Sequence, residues 1–97
     1  MATQSEQLQV KANDEDLKGR YANAMQVSHD KDEFLLDFLL LKPPLGQLVG
    51  RIIVSPAHIK RILRALAENI KRYEEKLGAI EETQGPAGEE LGFKVEE

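Results

Sequence analysis

The stretch RIIVSPAHIKR, Arg51 to Arg61, changes its rule of construction in the middle. Up to Val54 the apolar residues are β-branched and contiguous; from Pro56 onward apolar residues return every three or four positions. A strand therefore gives way to a helix at Ser55. Ser55 is a good N-cap, and Pro56 suits the first helical position because its missing N–H would have had no partner there. Gly78 is placed for a residue of positive φ after the last turn. Between them no further Gly or Pro intervenes, so a helix is predicted over Pro56–Leu77.

Its apolar residues, Ile59, Ile62, Leu63, Leu66, Ile70, Tyr73 and Leu77, form one stripe, with Ala65 and Ala67 beside it. The opposite side carries Lys60, Arg61, Arg64, Glu68, Lys71, Arg72 and Glu75. Glu68 precedes Arg72 by four residues, the favoured order for an ion pair worth about 0.3 to 0.5 kcal/mol. The stripe also steps in the manner of a coiled-coil seam.

Working back from the joint, three apolar runs are separated by turn material. They are Tyr21–Ser28, Phe34–Leu41 and Leu48–Val54, with HDKDE (residues 29–33) and KPPLGQ (residues 42–47) between them. Short linkers between sequential strands favour an antiparallel meander. The run QLQVK, residues 7–11, alternates weakly and reads as a possible fourth edge strand. The fold class is thus α+β: an antiparallel meander of three to four strands, then one long amphipathic helix packed on one face. The domain extends over residues 7–80. Residues 1–6 read as a flexible N-terminus and 81–97 as a disordered acidic tail, in which Leu91, Phe93 and Val95 alternate as a docking strand would.

The middle strand alternates Phe34, Leu36, Phe38 and Leu40 with Leu35, Asp37, Leu39 and Leu41. Strict alternation in the next strand sets Leu48, Ile52 and Val54 against Val49 and Ile53. A half-exposed sheet is apolar on one side only, and this one is apolar on both. One helix covers one face, so a second copy of the chain is the expected cover for the other. Leu35, Leu39, Leu41, Val49 and Ile53 form the expected self-association or peptide-binding surface.

Composition narrows the function. At 97 residues the chain is one small domain, and such domains bury only around 60 to 65 % of their unfolded surface. Cysteine is absent, which excludes disulfides and thiolate metal sites, and the two histidines have no zinc-ligand spacing. Neither a signal peptide nor a membrane-spanning run is readable, and a cytoplasmic location is expected. The net charge of −4 is segregated: −2 over residues 1–18, 0 over 19–55, +3 over 56–77 and −5 over 78–97. The basic helix followed by an acidic segment allows screening within the chain as readily as an acidic partner.

Chemistry-bearing patterns are sparse. Asp37 is the one acid inside an apolar run, but no second carboxylate, histidine or nucleophile stands at a catalytic spacing to it. Pairing with Arg51 on the neighbouring strand, or a place near a subunit seam, is its expected role. Gly46 and Gly50 are followed by no Lys-Ser/Thr pair, and HDKDE lacks calcium-loop spacing. A non-enzymatic module without cofactors is expected. The alternative is a nucleic-acid binder using Arg51, Lys60, Arg61, Arg64, Lys71 and Arg72, against which stand an acidic whole chain and only five aromatics.

The order YAN (residues 21–23), an acidic-apolar strand at Glu33–Phe38, RIIVSPAHIKRIL (residues 51–63) and ALAENIKRYEEKLGAI (residues 65–80) resembles the small prokaryotic family catalogued as domain of unknown function 3467. The resemblance covers about Leu8 to Ile80. It implies no activity and no catalytic residues; it marks Tyr21, Asn23, Asp37, Ser55, Pro56, His58, Asn69, Tyr73 and Glu74 as family-like positions. Asn69 and Glu74 are expected to make structural hydrogen bonds, Asn69 to a sheet edge or a partner helix and Glu74 to Lys71 or a neighbouring subunit. A strand meander followed by a long helix is also similar in topology to the export chaperone SecB, which implies an oligomeric holdase for extended polypeptide.

Overall fold

The computed structural model describes residues 7–83. Three strands, β1 (Ala24–His29), β2 (Phe34–Lys42) and β3 (Leu45–Val54), form an antiparallel sheet in the order β1-β2-β3. A short helix α1 (Asp14–Lys18) precedes the sheet and the long helix α2 (Pro56–Leu77) follows it. The α+β order is therefore the one expected, with three strands. Gln7–Lys11 is not a strand: Leu8 and Val10 are exposed, and two apolar residues give that segment nothing to bury. The expected flexible residues 1–6 lie outside the described residues, as does all of the expected acidic tail beyond residue 83.

Each connection has an identifiable cause. Between β1 and β2, the Asp30 side chain accepts hydrogen bonds from the backbone N–H groups of Asp32 (2.8 Å) and Glu33 (2.9 Å), and the Asp30 N–H donates to the Glu33 carbonyl at 3.0 Å. These bonds hold the Asp30 carboxyl below its ordinary range. β1 continues through His29, one residue beyond the expected end, and the His29 ring stacks on Phe34 with 5.1 Å between centroids. Between β2 and β3 the turn is only Pro43–Pro44, joined by a cis bond, with Lys42 directly opposite Leu45. β3 thus starts three residues earlier than apolar alternation indicated, because Leu45, Gly46 and Gln47 pair with β2 although they are not an apolar run.

At the start of β1, Asn23 does what a strand residue would do with its backbone. Its amide oxygen accepts from the Leu41 N–H (2.8 Å), and its amide nitrogen donates to the Leu41 carbonyl (3.0 Å). The ladder begins at Ala24 for that reason, not at Tyr21. Upstream, Asn13 caps α1 by accepting from the Asp16 N–H at 2.9 Å, and Asp14, Glu15 and Asp16 sit in the first turn, where the helix dipole favours acids.

The joint at Ser55 is a one-residue link. Its side chain accepts from the His58 N–H at 3.1 Å, with an extended backbone (φ −75°, ψ 160°). Replacing Ser55 by Ala is expected to lower stability by about 1 kcal/mol, read as a shift of the urea midpoint at unchanged slope. At the far end Gly78 has φ of +100°, and its N–H donates to the Glu74 carbonyl at 3.0 Å. The Glu74 carboxylate then accepts from the Ile80 N–H at 2.9 Å, a structural bond whose donor is the chain's own backbone.

The apolar stripe of α2 stays open. No residue of the helix is buried, and only Ile59 and Ile62, in its first two turns, are half-buried. Packing of the helix on one sheet face, expected from the stripe, is therefore limited to those turns. Geometry accounts for this. A helix of 22 residues is roughly 33 Å long, whereas three strands span only about 10 Å between their outer axes. A one-residue joint also supplies no loop to lay the helix back over the sheet.

Candidate interaction surfaces

Residues directly opposite one another in a ladder share a face, so the register assigns both sides of the sheet. On one face lie Met25, Val27, Phe34, Leu36, Phe38, Ile52 and Val54; on the other lie Leu35, Asp37, Leu39, Leu41, Arg51 and Ile53. A bulge interrupts this pattern. Phe38 faces Gly50 but Leu39 faces Leu48, which leaves Val49 without a partner residue in the ladder. Leu48 consequently joins the face of Ile53, and Val49 sits at the bulge. Strict alternation had assigned Leu48 to the opposite face and Val49 to this one.

The expected association surface is brought together in part. Leu35 and Ile53 are directly opposed, and Leu41 faces Gly46. A Cβ at Gly46 would lie 2.7 Å from Leu41 Cδ2, so glycine there lets the Leu41 side chain lie over the hairpin. Leu39 is only 5 % exposed and belongs to the core, together with Leu36 at 7 %. Leu35, Leu41 and Val49 are half-buried; Leu48 and Ile53 are exposed on that face, as are Met25, Val27 and Ile52 on the opposite one.

Across the middle of the Leu39 face runs a polar row: Gln26, Asp37 and Arg51 are consecutive cross-strand neighbours. Arg51 Nε donates to Asp37 Oδ1 at 2.6 Å and its terminal nitrogen to Oδ2 at 3.0 Å, a bidentate pair. Asp37 is 3 % exposed. The Arg51 guanidinium holds its carboxyl below the ordinary 3.8, against the opposing effect of burial. Gln26 Oε1, in the strand beside it, is buried without a hydrogen-bond partner. A carboxylate locked in two bonds to one arginine is ill suited to take up a proton, and the row reads as structural.

The expected basic surface divides. Arg51 is engaged by Asp37 in the sheet. Arg72 pairs with Glu68 at 3.6 Å, as the spacing predicted. Lys60, Arg61, Arg64 and Lys71 are exposed on α2, the last three around an open depression floored by Ala65 and Ala67. Asn69 donates to the Ala65 carbonyl one turn back at 2.8 Å, a structural bond within the helix. Among the described residues no group of His, Asp or Glu converges as a metal site, and no helix is long and apolar enough to cross a membrane.

The sequence reading missed the openness of the stripe on α2. Its signal was present: the 3-4 spacing of a seam, with no second long helix among the described residues to meet it. No curated protein and no solved structure matches the chain. The model of one family, described as protein of unknown function (DUF3467), matches residues 1–82, and the chain belongs to that family.

Proposed function

We propose that this protein is a non-enzymatic, self-associating interaction module that holds extended or unfolded polypeptide on its apolar sheet, a small cytoplasmic holdase in the manner of SecB. The observation that carries the reading is an open sheet with apolar side chains exposed on both faces: Leu48 and Ile53 on one, Met25, Val27 and Ile52 on the other. Patches of this kind on a small chain mark contact surfaces. Both β1 and β3 are edge strands, and an edge gives an extended peptide a ladder of backbone partners while pockets between side chains take its residues.

The test is binding of a reduced, carboxymethylated and therefore permanently unfolded polypeptide, followed by fluorescence anisotropy. Binding is expected in the full chain, weakened about tenfold or more by Leu48→Asp with Ile53→Asp. Both residues are exposed, so these changes leave the core intact. Unchanged binding in a folded variant, or none in the parent, removes the reading.

Exposure of Lys60, Arg61, Arg64 and Lys71 favours one alternative, a nucleic-acid surface on α2. It requires affinity for a duplex that falls steeply with salt. No binding at low salt excludes it.

A further inference from the structure

We infer that α2 is one half of an antiparallel two-helix coiled coil, and that the other half is α2 of a second copy of this chain. The inference rests on the self-association part of the proposed function and names its surface.

Six of the seven large apolar residues of α2 obey a stricter rule than amphipathicity, and the half-buried Ile62 stands beside them outside it. Ile59, Leu63, Leu66, Ile70, Tyr73 and Leu77 are separated by alternating steps of four and three, and Ile80 continues the rule just past the helix end. This is a heptad repeat with Ile59, Leu66 and Tyr73 at one seam position and Leu63, Ile70 and Leu77 at the other. A helix lying on a sheet needs only a broad apolar side, and an ideal helix drifts about 20° per heptad from a 3.5-residue repeat. A stripe kept in strict heptads therefore matches another helix.

The described residues offer none. Among the described residues the one other helix is α1, five residues long, exposed, with Leu17 as its single large apolar residue. Meanwhile Leu66 is 56 % and Ile70 48 % exposed in the single chain, and Leu63, Tyr73 and Leu77 are exposed as well. The occupant that carries the same repeat at the same length is a second α2.

Charge sets the direction. Residues 56–66 contain Lys60, Arg61 and Arg64 and no acid, whereas residues 67–77 hold three acids and three cations, with Glu81 and Glu82 following. A parallel pair would lay the two basic halves side by side. An antiparallel pair lays each basic half along the neutral half and the acids beyond it, and brings Lys60 beside Glu74 of the other copy. In that direction the seam closes on itself: Leu66 meets Ile70, Leu63 meets Tyr73 and Ile59 meets Leu77, each layer occurring twice about one two-fold axis. Ala67 and Asn69, next to the central layer, are small enough to let the helices approach.

The experiment uses the full chain, which contains no cysteine of its own. Ile59→Cys and Leu77→Cys chains are mixed under oxidising conditions, and each is also oxidised alone. The expected result is a disulfide-linked dimer from the mixture and little from Leu77→Cys alone; efficient self-linking of Leu77→Cys without linking in the mixture overturns the antiparallel arrangement. In parallel, Leu66→Glu with Ile70→Glu is expected to weaken association roughly a hundredfold or more in light scattering. Dissociation by Leu48→Asp with Ile53→Asp, but not by the helix pair, overturns the inference while leaving self-association through the sheet in place. A single-chain mass in the parent protein, with no linking in the mixture, overturns both.

Discussion

Replacing Asp37 by Ala is expected to destabilise the protein by roughly 2 to 4 kcal/mol at neutral pH. Removal of one partner of a buried pair ordinarily costs about 3 to 5 kcal/mol, because the remaining charge keeps its desolvation cost. The figure is lowered here because the Arg51 side chain retains 29 % exposure. The double replacement Asp37→Leu with Arg51→Met should recover most of the loss, since a packed apolar pair of similar size carries no desolvation cost. The pH dependence has a fixed sign. A carboxyl whose folded pKa is depressed binds its proton more weakly in the native state than in the unfolded one. Its contribution is therefore full above the ordinary value of 3.8 and is lost as pH falls through the lower native value. Urea titrations at neutral pH and well below 3.8 should show the difference between parent and Asp37→Ala shrinking in acid. A difference that grows in acid would mean that Arg51 does not stabilise the ionised form.

Leu39→Ala is expected to cost about 2 to 4 kcal/mol, the usual range for truncating a buried leucine. In a domain of this size that lowers the thermal midpoint by roughly 10 to 25 °C. Leu39 faces Ala24 on one side and Leu48 on the other, so neighbouring side chains can fill little of the space it leaves. The informative comparison is Ile53→Ala. In the single chain Ile53 is 53 % exposed, and its truncation should cost about 1 kcal/mol or less. A cost equal to that of Leu39 would show that Ile53 is buried in the assembled protein. Thermal scans of the two variants at matched concentration distinguish these cases.

Particular residues show what the sequence could and could not disclose. The bounds of α2 were legible because Ser55, Pro56 and Gly78 each act locally, through a cap, a fixed φ and a positive φ. The Asp37–Arg51 pair was legible because an acid in an apolar run needs a cation, and Arg51 is the one cation in the run Leu48–Val54. The bulge at Val49 was not, since one unpaired residue leaves no trace in apolar alternation; Gly50 beside it was the only hint. Nor was the two-residue turn at Pro43–Pro44, because Leu45, Gly46 and Gln47, which pair directly after it, are not an apolar run. Helix α1 was overlooked although Asn13, three acids, Lys18 and Gly19 spell out its cap, first turn, last turn and end. Five residues are too few to show a period. Of the polar groups, the Asp37–Arg51 pair and the exposed cations of α2 were readable, whereas the place of Gln26 beside that pair was not. The fate of the apolar stripe was not, because amphipathicity states that a stripe needs cover without saying what covers it.

That cover is the centre of the account. Among the described residues only Leu36, Asp37 and Leu39 are buried, a small core for a folded domain, while a heptad stripe and two apolar sheet faces remain open. The proposed association would supply the missing burial and couple folding to it. The most direct measurement is solution mass by light scattering together with the thermal midpoint, both followed over a wide range of chain concentration. Pairing of α2 between copies predicts a dimer or a multiple of it, with a midpoint that rises with concentration. The mass of a single chain throughout, with a midpoint that does not move, would contradict it.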